Sequence, residues 1–325
     1  MAWIIAIVAA LALVPEFVSS NYVLGLLIVI MFSAFLGQSW SILGGMCGQF
    51  SLGHASFFGI GLYVSFILQV NFGVSAWIAL GAAIAAGAVV GLSIGFISFR
   101  YGLRGSYFAL VTLAFSEVFR VIASALDITG GGTGRNLPTR VGLEHLQFST
   151  KAGYFYFVLA LFAVVQIVTW WIARGRLGAR FLAIREDEDA AAALSVNVLQ
   201  HKLIAIGISG AIAGCGGFFY GQYYYYVDPA IAFGPLQSVE ILLAAIIGGT
   251  GTLFGPVLGA VVLRMAGELT QSVTGSAPGI NLVLYGIVVI AIVRYMPNGV
   301  LGGFGALAKR IPWRRRAAHA KAEAA

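Results

Sequence analysis

The chain has 325 residues, of which 60% are hydrophobic and only 10% are charged, and its formal net charge is +7. Soluble domains carry about 25% charged residues, so this composition excludes a soluble protein and indicates an integral membrane protein. A transmembrane barrel would show alternating polar and apolar residues, and the sequence lacks that alternation. We therefore expect an all-α, polytopic helical bundle.

Apolar runs along the chain are mostly long enough to cross a hydrocarbon core of roughly 30 Å as helices. They predict about 8 to 10 membrane segments, some of them broken or re-entrant at glycine. The first run has no Lys or Arg ahead of it and carries Pro15 and Glu16 where a cleavage site needs small residues, so we interpret it as a membrane helix and not as a signal peptide. The runs lie at about 2–18, 21–43, 52–69, 75–99, 104–126, 153–173, 203–226, 236–263 and 282–296.

A glycine-rich segment, residues 44–54, separates the second and third runs. Polar side chains at membrane depth are costly unless they are paired or face water, so those near this segment are candidates for a translocation path. Hydroxyl and amide groups beside glycine backbone would suit a zwitterionic solute with an apolar side chain. His54 has no second histidine or cysteine at metal-ligand spacing, and we expect no metal site, catalytic group or cofactor. The path candidates are Gln49, Ser51, His54, Tyr107 and Thr112.

Opposite charges also stand near each other within the predicted helices. Glu117 and Arg120 are three residues apart, and Arg264 and Glu268 are four apart. Side chains at these spacings meet on one helix face, so each pair is interpreted as a structural ion pair.

Basic residues predict the orientation, because Lys and Arg in short loops stay on the cytoplasmic side. They cluster in the loop 174–202 and in the tail 309–325, so we expect both segments, and the N-terminus, to be cytoplasmic. Residues 1–308 then form the membrane domain, and the polar loop 127–152 is external. Within that loop, Thr129–Gly134 looks like a phosphate loop but lacks its lysine, so we interpret it as a flexible loop near a docking face for a substrate-binding protein, or as a plain connector. The tail is expected to lie against anionic lipid and not to bind nucleic acid.

Residues 185–197 read REDEDAAAALSVN, a charged, alanine-rich block inside the basic loop. Acidic residues in a first turn complement the helix dipole, and alanine is the best helix former, so a short helix is predicted to begin near Glu186. A membrane protein that keeps such a block in a cytoplasmic loop is predicted to dock a soluble partner there. An ordinary solvated loop helix is the alternative.

A second glycine-rich segment, residues 248–256, interrupts the run 236–263. Unbroken helices between Lys202 and the basic tail would leave the tail on the wrong side, so a break is required here. We interpret 236–248 as a short or re-entrant segment and Gly248 and Gly249 as further path candidates, because irregular backbone at membrane depth is tolerated only where protein or water covers it. Both glycine turns have the same polarity, and they could be relics of an internal duplication.

The chain resembles the permease subunits of branched-chain amino acid ABC importers, and within them the LivM-like branch, over about residues 36–298. Four stretches carry the resemblance in the family's order: GQFSLGHASFFGIG at 48–61, LRGSYFALVTLA at 103–114, the block 185–197, and the glycine-rich stretch 248–259.

The resemblance implies that the block 185–197 is the ATPase-coupling motif of an importer, in which Glu-Ala-Ala is followed by a glycine. Similar permeases usually place that glycine where this chain has Ser195. The resemblance further implies a bacterial or archaeal cytoplasmic membrane, a second LivH-like permease, two ATP-binding subunits and a periplasmic or extracellular solute-binding protein. The coupling candidates are Arg185, Glu186, Asp187, Glu188, Ala190, Ala191 and Ser195.

The chain has no Gly-x-x-x-x-Gly-Lys-Ser/Thr segment, so it is interpreted as a transport subunit and not an enzyme, with ATP hydrolysis on partner chains. The implied cargo is a branched-chain or other small hydrophobic amino acid. The same importer type acting on urea or short amides stays open, as does an ion-coupled secondary transporter, which would need no docking helix. A membrane-embedded enzyme would need a convergent catalytic set that the sequence does not supply.

Overall fold

The computed structural model describes residues 2–18 and 20–274, together with 283, 286, 287, 290, 294, 299 and 300. The tail 309–325 and most of the run 282–296 lie outside the described residues. The helices are α1 Ala2–Ala12, α2 Val14–Phe17, α3 Asn21–Trp40 with a π-helical turn Ser41–Met46, α4 His54–Asn71, α5 Ala76–Arg100, α6 Gly105–Ala125, α7 Lys151–Arg174, α8 Arg176–Glu186, α9 Glu188–Ala193, α10 Val198–Tyr224, α11 Pro229–Phe233, α12 Pro235–Gly248 and α13 Gly255–Thr274.

The prediction of an all-α polytopic bundle is confirmed. Within the described part of the chain, the strands are β1 Arg135–Asn136 and β2 Tyr226–Val227, which pair antiparallel. Five helical segments there are long and apolar enough to cross a membrane, and the short apolar helices include α12. The crossing segments are Asn21–Met46, Ala76–Arg100, Gly105–Ala125, Lys151–Arg174 and Val198–Tyr224.

The centre of the bundle is built where α10 packs against α5 and α4 through glycine. A Cβ atom added at Gly87 would stand 2.3 Å from the carbonyl oxygen of Gly210, and one at Gly214 would stand 2.4 Å from the carbonyl oxygen of Ala83. On α4, a Cβ at Gly61 would meet the Gly214 carbonyl at 2.3 Å. Small residues let membrane helices approach backbone to backbone, so these three helices form one closely packed block.

Both predicted glycine breaks are present. The π-helical turn ends at Met46, and residues 47–53 are irregular before α4 begins at His54. Helix α12 ends at Gly248, and α13 begins at Gly255. At 1.5 Å per residue, the 14 residues of α12 reach only about 21 Å, so the expectation of a short segment over 236–248 is confirmed.

Candidate coupling site and translocation path

The alanine-rich block forms the predicted short helix, α9, although it begins later than expected. Helix α8 continues to Glu186, and Asp187 then adopts an extended conformation. One Asp187 carboxylate oxygen accepts hydrogen bonds from the backbone N–H groups of Asp189 and Ala190, both at 2.9 Å. Asp187 is therefore an N-cap, and α9 starts at Glu188 instead of near Glu186.

The end of α9 shows how Ser195 takes the place of the glycine that the resemblance implies at this position. Ser195 has φ +63, in the left-handed region that glycine adopts most easily. Its N–H donates to the Ala192 carbonyl at 3.0 Å, and the Val196 N–H donates to the Ala191 carbonyl at 3.1 Å. This pair of bonds is the Schellman ending of a helix. The tight turn is thus kept, at a backbone cost of about 1 kcal/mol or more for a residue that has a side chain.

Glu188 points into the membrane domain and joins three parts of it. Its carboxylate pairs with Arg104 Nε at 2.9 Å and with the Lys202 ammonium, and it accepts a hydrogen bond from Gln49 Nε2 at 3.1 Å. The Glu188 side chain is 14% exposed and that of Lys202 only 4%. Helix α9 is therefore fixed to the start of α6, to a residue near the start of α10 and to the first glycine break by one nearly buried carboxylate.

Asp189 faces outward and reinforces this attachment. Both of its carboxylate oxygens accept hydrogen bonds from the Arg104 guanidinium, at 3.0 and 3.3 Å. Hydrogen bonding to Arg104 lowers the pKa of the Asp189 carboxyl from its ordinary value. The side chain is 81% exposed, so solvent screens the pair and it contributes little to stability.

Arg185 lies between the two glycine breaks. Its Nη1 donates a hydrogen bond to the Gly45 carbonyl at 2.8 Å. A Cβ atom at Gly48 would stand 3.0 Å from Cγ of Arg185, and one at Gly251 would stand 2.9 Å from its Nη1. Arg185, in the last turn of α8, is therefore in contact with both glycine breaks.

The two breaks also touch each other directly. The Gly251 N–H donates to Ser41 Oγ at 3.3 Å, and a Cβ at Gly45 would stand only 2.3 Å from the Gly251 nitrogen. Gly248 and Gly249 belong to the same turn, where a Cβ at Gly248 would overlap the Gly255 carbonyl. The first glycine break, the block 185–197 and the second glycine break thus meet at one end of the bundle, although up to about 200 residues separate them in the sequence.

Four of the predicted path residues are buried inside the chain, where they hold the first break together. Gln49 binds Glu188, and the Ser51 carbonyl accepts a hydrogen bond from the Trp40 indole at 2.8 Å. Thr112 Oγ1 accepts from the Leu52 N–H at 3.1 Å, and His54 Nε2 lies 2.8 Å from Ser209 Oγ. These four residues join the first break and the start of α4 to neighbouring segments, and their burial keeps them from lining an open passage.

Tyr107 differs, because it is 72% exposed on the outer face of α6. The same face carries Glu117, whose carboxylate binds the Arg120 guanidinium with Nε–Oε2 at 2.9 Å, as the sequence predicts. The two side chains are 48% and 34% exposed. A charge pair on a membrane-spanning helix is costly against lipid, so this face of α6 favours contact with water or protein.

The second predicted ion pair is wrong. Arg264 binds Glu240 on α12, with Nη2–Oε2 at 3.0 Å, and donates from Nε to Ser33 Oγ on α3 at 2.9 Å. Glu268 instead accepts a hydrogen bond from the Tyr22 hydroxyl at 2.5 Å. Contacts between helices replace the contact along α13.

The roles of Arg104 and Lys202 in holding Glu188 were missed by sequence reasoning. Lys202 served only as a marker of orientation, since a basic residue close after an acidic block gives no sign of direct contact with it. Ser209 was also missed. No signal within α10 links its hydroxyl to His54, which stands 155 residues earlier in the chain.

Comparisons with known proteins identify the family to which the chain belongs. A family model described as branched-chain amino acid transport system / permease component matches residues 22–293. The LivM permease protein of the high-affinity branched-chain amino acid transport system of Salmonella typhimurium is 31% identical over 290 residues, covering 82% of this chain and 67% of that protein. Its Escherichia coli counterpart is 30% identical over 315 residues, covering 90% and 72%. The LivH permease protein of Salmonella typhimurium is 25% identical over 287 residues, covering 83% and 91%.

No solved structure matches the chain. The match of the family model over most of the sequence, together with the two LivM relatives, establishes that the chain belongs to the family of branched-chain amino acid transport system permease components.

Proposed function

We propose that the chain is a permease subunit of an ABC importer that moves branched-chain or other small hydrophobic amino acids across a bacterial or archaeal cytoplasmic membrane. ATP-binding subunits dock on the loop 174–202 and drive the transport. The observation that carries this proposal is the attachment of α8 and α9 to the first glycine break through Arg185 and Glu188, with Arg185 also in contact with Gly251 of the second break. A partner that displaces α9 then displaces the irregular backbone of the membrane domain.

The docking surface consists of the outward side of α8 and α9. Leu194 is 77% exposed and Leu182 is 52% exposed, beside the exposed small residues Ala190, Ala192 and Ala193. Short side chains on a capped helix allow a partner cleft to approach the backbone closely. The acidic coupling candidates then divide by role: Glu186 is presented to the partner, Asp187 starts the helix, and Glu188 attaches it to the membrane domain.

The translocation path forms where the exposed face of α6 meets a second, homologous permease, similar to the LivH relatives. This arrangement removes the Glu117–Arg120 pair from lipid and brings Tyr107 to the passage. The four buried path candidates do not face the passage themselves but stabilise the backbone next to it.

The remaining placements follow from the charge distribution. Residues 1–308 form the membrane domain, with the N-terminus, the loop 174–202 and the basic tail 309–325 in the cytoplasm. The loop 127–152 is external and receives the solute-binding protein.

Co-purification in mild detergent tests the assembly. The tagged chain should bring down a second permease and two ATP-binding subunits from its native membranes. Recovery of the chain alone would favour an ion-coupled secondary transporter.

A matched pair of variants tests the docking surface. Leu194→Asp should abolish recovery of the ATP-binding subunits, whereas Leu143→Asp, a similarly exposed leucine (72%) in the loop 127–152, should not. Equal recovery with both variants would refute docking on α9.

Uptake into proteoliposomes tests the solute. The assembled importer with its binding protein should accumulate leucine, isoleucine or valine in an ATP-dependent manner. Accumulation of urea or acetamide without these amino acids would overturn the proposed cargo while leaving the importer assignment in place.

A further inference from the structure

A polar cavity of about 250 Å³ lies between α3, α10, α12 and α13. Its charged and hydroxyl-bearing walls are formed by Ser33, Tyr220, Tyr224, Glu240 and Arg264. At about 30 Å³ per liquid water molecule, the cavity has room for roughly eight waters, which is the size of a small aliphatic amino acid. None of these residues belongs to the attachment of α9 or to the exposed face of α6.

The cavity presents a positive and a negative charge side by side. Arg264 Nη2 lies 3.0 Å from Glu240 Oε2, and Arg264 Nε donates to Ser33 Oγ at 2.9 Å. These bonds use two of the five N–H donors of a guanidinium, and among the described residues the others have no partner. The two side chains remain 35% and 48% exposed. A half-exposed ion pair in a membrane domain is a functional-site candidate, because facing lipid would be costly.

The remaining walls are aromatic and aliphatic. The rings of Tyr220 and Tyr224 lie 4.4 Å apart between centroids, and Phe32 lies 6.4 Å from Tyr220. Leu36 and Ile241 complete the apolar side. A cavity with opposite charges at one side and an apolar wall at the other matches a solute that carries an ammonium, a carboxylate and a hydrocarbon side chain.

We propose that this cavity binds an α-amino acid with an apolar side chain. The ammonium group of the solute lies on Glu240, the carboxylate lies on Arg264, and the side chain packs against Phe32, Leu36 and Ile241. The solute inserts between two charges that otherwise neutralise each other. The inference rests on the proposed function, since it assigns the amino acid a site inside the permease itself.

The test is equilibrium binding of radiolabelled leucine to the complete permease–ATPase complex in nanodiscs, without the solute-binding protein. Unlabelled 4-methylpentanoate lacks the ammonium group and 3-methylbutylamine lacks the carboxylate. We expect saturable leucine binding and at least tenfold weaker competition by either analogue.

Two substitutions separate recognition from folding. Glu240→Gln should weaken the binding of leucine and of the amine while leaving the binding of the carboxylate analogue unchanged or stronger. Arg264→Gln should weaken the binding of leucine and of the carboxylate analogue while leaving the binding of the amine unchanged or stronger. A general loss of folding would weaken all three compounds together and could not produce opposite changes. The control is Glu268→Gln, at a carboxylate on α13 that lies outside this cavity and binds Tyr22, and it should leave all three affinities unchanged.

The outcomes distinguish this inference from the proposed function. ATP-driven leucine uptake by the full importer without saturable leucine binding to the nanodisc complex would overturn the cavity alone. Equal changes for both analogues in each variant would also overturn it. Absence of both uptake and binding would overturn the proposed cargo as well.

Discussion

Replacing Glu188 by glutamine should release α9 from the membrane domain. The substitution keeps the shape of the side chain but removes the charge that faces Lys202 and Arg104. Lys202 is nearly buried, and removing one partner of a buried ion pair costs about 3–5 kcal/mol. The contact with Arg104, which is 55% exposed, adds little because solvent screens it.

We take about 3 kcal/mol as the expected loss, because Gln49 still offers a hydrogen bond to the new amide. At 1.4 kcal/mol per factor of ten, the detached state of α9 becomes roughly 100-fold more populated. Backbone hydrogen exchange measures this directly, since the amides of α9 exchange when the helix opens locally. In the assembled importer the same variant should hydrolyse ATP while transporting less solute per ATP.

Glu186→Gln is the matched control, because Glu186 is an exposed carboxylate at the end of α8. Its exchange rates in α9 should match those of the unmodified protein. Unchanged protection of α9 in Glu188→Gln, or an equal loss in both variants, would refute the view that Glu188 holds the helix in place.

Three further variants probe the same end of the bundle. Gly251→Ala should abolish uptake while ATP-binding subunits still co-purify, because φ is +73 and the new Cβ would stand 2.7 Å from the Gly45 carbonyl oxygen of the first break. Gly81→Ala is the control, since nothing lies within 4 Å of a Cβ at that position. Normal uptake by Gly251→Ala would contradict the packing of the two breaks. Ser195→Gly should stabilise the end of α9 by about 0.5–1 kcal/mol, seen as a twofold to fivefold slower amide exchange, and faster exchange would show that the left-handed turn carries no strain. Arg185→Gln should reduce the solute moved per ATP in proteoliposomes, because the hydrogen bond to the first break is lost. Arg176→Gln, at the start of α8, should leave this ratio unchanged. Equal ratios in the two variants would argue against a role of Arg185 in coupling.

Features set by local chemistry could be predicted from the sequence. The break after Gly248 follows from glycine and proline within one apolar run, and α9 follows from an acidic start and four alanines. Its first residue was misplaced because four acidic residues in succession, 186–189, could begin the helix, and only the extended backbone of Asp187 shows which one caps it.

Contacts between distant segments could not be predicted. Glu188 and Gln49 are 139 residues apart, and no local pattern joins them. Arg264 had a partner at helical spacing worth only about 0.2–0.5 kcal/mol, and the interhelical contacts with Glu240 and Ser33 outweigh it. Burial could not be predicted either, because the apolar composition of α6 marks it as a membrane segment without distinguishing the exposed Tyr107 from the buried Thr112.

The glycine faces that join α5 and α10 have a mechanical consequence. Helices in backbone contact have few side chains between them that could change rotamer, so a displacement is passed on instead of being absorbed by repacking. Helix α10 begins beside α9, where Lys202 meets Glu188, and its 27 residues extend about 40 Å to Tyr224. We expect α10 to move as a rigid unit. A displacement of the loop 174–202 would then also displace Tyr220 and Tyr224, which line the cavity near the other end of the helix.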